Sequence, residues 1–165
     1  MIDTILLVDD EDLFHLVFED ACSLLDISLS LNSLTSADEA EKLFKKWFED
    51  NTPENRPECV LVDLNIIGSS FDGIELIRRI NFQYGNHVVI GIISSSNEAE
   101  EQAKALAAGA QFWIIKSDEI EPRLEEFRKD YEGYKNKLLP FKVYRWSKLI
   151  VIPNELYWIY TIRKK

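Results

Sequence analysis

Four short stretches of this chain are almost wholly apolar: Thr4–Val8, Cys59–Val62, Val88–Ile93 and Phe112–Ile115. Runs so short and so uniformly apolar suit strands covered on both faces, which is the situation of strands in a parallel sheet. A fifth segment, Ile27, Leu29 and Leu31, alternates at period two and reads as a further strand. Between these segments the apolar residues recur at helical spacing. Leu13, Phe14, Leu16, Val17, Ala21, Leu24 and Leu25 mark a first helix. Ser36 to Glu39 has the form of a capping box and opens a second, carrying Ala40, Leu43, Phe44, Trp47 and Phe48. Residues 50–57 form a polar loop with two prolines. A third helix is expected over Gly73–Tyr84, with Ile74, Leu76, Ile77 and Ile80 inward. A fourth, rich in small residues, runs from Asn97 to Ala108 and ends at Gly109. The last covers residues 119 to about 138, with Pro122 in its first turn and Pro140 as its stop. Five strands alternating with five helices predict an α/β fold, a doubly wound five-stranded parallel sheet.

Sheets of this kind bind ligands at the carboxyl ends of their strands, so the residues there carry the functional argument. The first strand ends in Asp9-Asp10-Glu11, the third in Asp63, the fourth in Ser94-Ser95-Ser96 and the fifth in Lys116. Parallel strands bring these ends to one edge. Carboxylates gathered there repel one another unless something positive lies between them. Mg²⁺ suits the set, because it takes oxygen ligands and is held by one or two carboxylates together with phosphate. Lys116 offers a point charge and a serine hydroxyl a donor, both suited to phosphoryl oxygens. The chemistry implied is phosphoryl transfer to a carboxylate, which needs positioning and charge neutralisation above all.

At these same stretches the sequence resembles the response-regulator receivers of two-component signalling, including the chemotaxis regulator. The resemblance rests on Ile5–Glu11, Val60–Leu64, Asp72-Gly73, Ile92–Ser94, Ala108–Ala110 and Trp113–Lys116, in order over roughly residues 1–130. It implies a flavodoxin-like strand order of 2-1-3-4-5 and a set of roles. Asp63 would be the phosphoacceptor. Asp10 would bind Mg²⁺ directly, Asp9 would bind it or its water, and the backbone carbonyl of Asn65 would complete the ligands. Ser94 would be the switch hydroxyl, Lys116 the partner of the Asp63 phosphate and Trp113 the switch aromatic. The bulk of Trp113 equally suits a permanently buried residue. Three departures stand out. Ile67 replaces the usual proline, the loop Gly68–Gly73 is two residues longer, and Ser117 rather than proline follows Lys116. The exit from the fifth strand is therefore expected to differ from the family's.

The resemblance implies a signalling switch rather than a metabolic enzyme. Its partners would be a sensor histidine kinase or a histidine phosphotransfer protein, and an output protein not identified by the sequence. The competing reading is a phosphorylation-independent interaction module on a receiver scaffold. No apolar run approaches the ~20 residues of a membrane helix, and Met1-Ile2-Asp3 opens no secretory signal. Cys22 and Cys59 sit in apolar stretches with no metal-type spacing, which fits a reduced, cytoplasmic protein. His15 and His87 lie in no metal or phosphotransfer spacing, and surface or capping roles are expected.

Charge is uneven. Residues 133–165 hold eight basic residues and one acid, a net +7, which leaves −17 on the remainder of a chain whose total is −10. The acidic body argues against nucleic acid as a partner. The chain is expected to divide into a receiver, residues 1–138, and a basic, aromatic extension, residues 139–165, too short for a separate output domain. Within the extension, 148–152 and 156–162 are rich in β-branched and aromatic residues around Pro153-Asn154-Glu155, which predicts a β-hairpin. A hairpin carrying so many aromatics must pack on the receiver or on a second copy of the chain, which makes a homodimer one expected assembly.

Overall fold

The first buried strand, β1 (Thr4–Val8), has every side chain after Thr4 sealed from solvent, as its uniform composition requires. The computed structural model describes residues 2, 4–29, 34–49, 56–117 and 119–144. After β1 come α1 (Asp12–Leu24), β2 (Ser28–Leu29), α2 (Ala37–Glu49), β3 (Cys59–Asp63), α3 (Gly73–Tyr84), β4 (Val89–Ser94), α4 (Ala99–Ala108), β5 (Phe112–Ile115), α5 (Glu121–Lys135) and β6 (Lys142–Tyr144). All pairings are parallel, in the order β2-β1-β3-β4-β5-β6. The expected 2-1-3-4-5 order is present, with one strand added beyond it.

Strand alternation divides the core into two layers. Ile5, Leu7, Cys59, Leu61, Ile93, Phe112 and Ile114 face α1 and α5. Leu6, Val8, Val60, Val62, Ile90, Ile92 and Trp113 face α2, α3 and α4. Each such side chain, fully removed from water, contributes about 1.5–3 kcal/mol. Gly91 is fixed by one of them: a Cβ there would stand 2.2 Å from the Phe112 ring, so glycine leaves the space that the ring fills. Cys22 and Cys59 are buried. Burial above all, with neighbouring acids adding to it, pushes both thiols up, that of Cys22 to about 12, so both stay protonated as packing residues.

Several elements differ from expectation. Among the described residues β2 covers Ser28–Leu29, after Asp26 turns the chain with a φ of 53°. In α1 the buried residues are Phe14, His15, Phe18, Ala21 and Cys22, whereas Leu13, Leu16 and Leu24 face solvent. The inward stripe is thus narrower than the apolar content of the helix. α5 stops at Lys135, five residues before Pro140. Lys137 takes a left-handed φ of 57°, its amide donates to Tyr134 O, and the Leu138 amide donates to Gly133 O at 2.8 Å. These two bonds are those of a Schellman cap, with lysine at the position glycine usually holds.

The chain then returns alongside β5, so the sheet continues past residue 138. Phe112, Trp113 and Ile114 pair with Lys142, Val143 and Tyr144. Tyr144 is 1% exposed and packs against Phe112 and Phe127. Lys142 bridges Glu126 and Asp130 on α5. The predicted hairpin, 148–162, lies outside the described residues.

Candidate functional site

The sheet register builds the site. Val8 pairs with Val62, Asp63 with Ile93 and Ser94 with Ile115, so the residues ending β1, β3, β4 and β5 meet at one edge. Lys116 lies one residue past β5, its amide anchored on Ser94 O at 2.8 Å. Its ammonium is the hub. It stands 2.8 Å from Asp9 Oδ2, 3.0 Å from Glu11 Oε2 and 3.5 Å from Asp63 Oδ2, and 4.5 Å from the centre of the Phe14 ring. Asp9 is fully buried, and Asp63 and Ser94 are nearly so.

Electrostatics at this edge are unbalanced. Burial chiefly, together with the nearby Asp9, pushes the Asp63 carboxyl up to about 6, against the pull of Lys116 and of the Leu64 amide, which donates to Asp63 Oδ1 at 2.7 Å. For Lys116, burial acts to lower the ammonium, but its bonds to Asp9 and Glu11 and the charge of Asp63 outweigh that and hold it above its ordinary value. Three acids, Asp9, Glu11 and Asp63, therefore surround one lysine, and Asp10 lies beside two of them. One oxygen each from Asp9, Asp10 and Asp63 lies within 4.8 Å of the others. Opposite ligands of a Mg²⁺ ion, with bonds of ~2.1 Å, stand ~4.2 Å apart, so the three need move little to share one ion. Asp9 Oδ2 is buried against the Lys116 ammonium at 2.8 Å. The donor set fits a hard divalent cation.

Local sequence explains how these groups are held. Asp72 caps α3 through the Glu75 amide at 2.8 Å, and Gly73 then passes directly under Asp63. A Cβ on Gly73 would stand 1.9 Å from Asp63 O, so only glycine allows α3 to start there. The lengthened loop after β3 is tied at several points. The Ile67 amide donates to Asp10 Oδ2 at 3.1 Å and the Ser70 amide to Asp38 Oδ2 at 2.8 Å, while Ser69 Oγ accepts from the first amide of α2 at 2.9 Å. Ile67, where the family usually has proline, is 82% exposed.

Matches to known proteins give the family and the fold. The profile of the family described as response regulator receiver domain matches residues 5–125, most of the chain. The chain belongs to that family. Among solved structures this receiver is similar to NtrX from Brucella abortus, with 24% identity, a TM-score of 0.67 and 83% of the receiver covered. It spans only 28% of that NtrX chain. It is similar also to RPA3017, a response regulator in red light signaling of R. palustris, with 22% identity and a TM-score of 0.64 over 81% of the receiver and 94% of that chain. Chemotaxis response regulator CheY4 of Vibrio cholerae follows, with 17% identity and a TM-score of 0.61 over 78% and 98%. Identities this low establish the fold. No curated protein sequence matches the chain. Among the described residues, no helix is long and apolar enough to cross a membrane.

The structure brings Asp9, Asp10, Asp63, Ser94 and Lys116 together. Asn65 is exposed on the loop two residues beyond Asp63. Trp113 is fully buried on the α4 side, in register with Val143 of β6. Ser96 donates its hydroxyl to Glu101 on α4, and its amide donates to Ser94 Oγ at 3.2 Å. Two participants escaped the sequence reading. His15 is buried, not a surface residue, and its Nε2 bonds the Asp9 carbonyl oxygen. Bonding a carbonyl requires the proton on Nε2. Its signal was its place on one helix face with Phe18 and Cys22. Arg123 is likewise buried and shares a stripe with Phe127, Tyr131 and Tyr134.

Proposed function

We propose that this receiver accepts a phosphoryl group on Asp63, with Mg²⁺, from the phosphohistidine of a sensor histidine kinase or a histidine phosphotransfer protein. The observation that carries the reading is the Lys116 ammonium standing within 3.5 Å of Asp63 and closer still to Asp9 and Glu11. An Asp63 oxygen attacks phosphorus, the P–N bond breaks, and its electron pair stays on the donor imidazole. Lys116, drawn from Asp9 and Glu11, pairs with one phosphoryl oxygen, and the Ser94 hydroxyl donates to another. Asp9, Asp10, Asp63 and the Asn65 carbonyl would hold the ion, which when bound neutralises carboxylate and phosphoryl charge. Water attacking phosphorus later returns the carboxylate and inorganic phosphate.

The signal is a change of shape. Ser94 is linked through Ser96 to Glu101 on α4, so a reoriented Ser94 alters the start of that helix. Residues 1–138 carry the switch, and the extension, whose first strand lies on β5, belongs to the face that changes. That face is the one on which an output protein or a second copy of the chain would sit.

The test is incubation with acetyl phosphate and Mg²⁺ followed by intact mass. One phosphate is expected on the native chain and none on Asp63→Asn or without Mg²⁺. A chain that gains no phosphate from any donor overturns the reading. A phosphorylation-independent interaction module is favoured by one observation, the complete burial of Trp113, with Val143 of β6 as its neighbour in the sheet. Absence of Mg²⁺ binding would select that alternative.

A further inference from the structure

Arg123 is 6% exposed, yet among the described residues no ion pair reaches it and its Nε has no hydrogen-bond partner. A buried charge without a counter-ion is costly, and replacing it by an apolar side chain of similar volume is commonly neutral or stabilising. Burial pushes the guanidinium down, and the Glu119 carboxylate acts against that. Its hydrogen bonds place it. One guanidinium nitrogen donates both to Ser117 Oγ and to the Glu119 carbonyl, the latter at 2.7 Å. Both acceptors lie in the few residues that follow Lys116. Methionine, of similar length, offers no donor to either acceptor. Lys116 is thus held from both sides. Its own amide is fixed on Ser94 O, and the chain leaving it is pinned to the first turn of α5. Ser117 stands where the related pattern has a proline, and a proline would stiffen that exit by itself.

We propose that Arg123 is a positioning residue for Lys116, clamping the strand-five exit through Ser117 and the Glu119 carbonyl so that the ammonium sits where a phosphoryl oxygen arrives. This rests on the reading of Lys116 as the phosphoryl partner. Arg123 touches neither the phosphoryl group nor the metal ligands. Its loss should therefore weaken capture of a phosphoryl-like ion while sparing both the cation site and the fold.

The full-length chain tests this with beryllofluoride, the ion that activates the related NtrC4 receiver. Mg²⁺ affinity, beryllofluoride affinity at saturating Mg²⁺, and Tm are measured for Arg123→Met, Ser117→Ala and the double variant. Both single variants are expected to keep the Mg²⁺ affinity and to lose beryllofluoride affinity by roughly tenfold to a hundredfold, the scale of a displacement of about 1 Å. The double variant should be no worse than Arg123→Met, because both act through one clamp, and Arg123→Met should melt no lower than the native chain. Unchanged beryllofluoride affinity in both single variants, an equal fall in Mg²⁺ affinity, or additive losses each overturn the inference. If Arg123→Met does not fold, Ser117→Ala decides, since it deletes one acceptor only. Lys116→Ala is the control. If it keeps full beryllofluoride affinity, the reading of Lys116 fails first and this inference falls with it.

Discussion

Exchange of Asp63 for asparagine should stabilise the metal-free receiver, although it destroys the proposed acceptor. Burial first, then Asp9, hold the Asp63 carboxyl at about 6, against an ordinary value of 3.8. That value already contains the opposing pull of Lys116 and the Leu64 amide. Between pH 3.8 and 6 the folded state binds more protons at this group than the unfolded state does, so stability falls as pH rises through that window. Above it the folded state carries the whole cost. A gap of about two pH units, at about 1.4 kcal/mol each, makes the ionised carboxylate cost about 3 kcal/mol. Asparagine keeps an acceptor for the Leu64 amide and adds no charge, and Lys116 retains Asp9 and Glu11. At pH 7.5 with a chelator, Asp63→Asn should be more stable by up to about 3 kcal/mol, which for a chain this long raises Tm by roughly 6–12 °C. Below pH 3.8 the advantage should vanish, since Asp63 is then protonated in both states. Urea titrations of both proteins across pH 3.5–8 are the assay. A variant no more stable than the native chain at pH 7.5, or an advantage that does not shrink on acidification, would refute the argument.

Other outcomes follow from single contacts. Gly73→Ala forces a Cβ against the Asp63 carbonyl oxygen, so it should cost about 1–3 kcal/mol by thermal melting and slow phosphoryl acceptance, because the displaced atom belongs to the acceptor itself. Asn65→Ala and Ser96→Ala should still be phosphorylated but lose phosphate at altered rates, as followed by intact mass. Unchanged decay in both would dismiss a role for these two positions. Tyr144→Phe removes a hydroxyl that donates to Asp130 Oδ2 at 2.7 Å and lies 3.1 Å from the Tyr134 hydroxyl, so denaturant titration should show a loss of about 1–2 kcal/mol. If stability does not change, β6 is held by its backbone pairing and the Lys142 bridges alone.

What the sequence revealed, and what it hid, divide along a physical line. The apolar runs of β1, β3, β4 and β5 were legible because a strand covered on both faces leaves no room for polar residues. Once the strands were placed, their terminal residues had to meet at one edge, and Asp9, Asp63, Ser94 and Lys116 followed from topology alone. The exchange of polar atoms between distant elements followed no such rule. His15 looks like an isolated polar residue until one sees that it faces inward with Phe18 and bonds the Asp9 carbonyl. Arg123 looks like the usual cation of a helix, and only its contacts with Ser117 and Glu119 give it a task. Among the described residues β6 spans three, too few for its alternation to be read, and Tyr144 fits among Phe112, Phe127 and Tyr134. That fit has a consequence for signalling. Trp113 pairs on one side with Ile92 and on the other with Val143, so β6 is the direct neighbour of the strand that bears it. On the function proposed above, a change carried by β5 therefore bears on β6 as well.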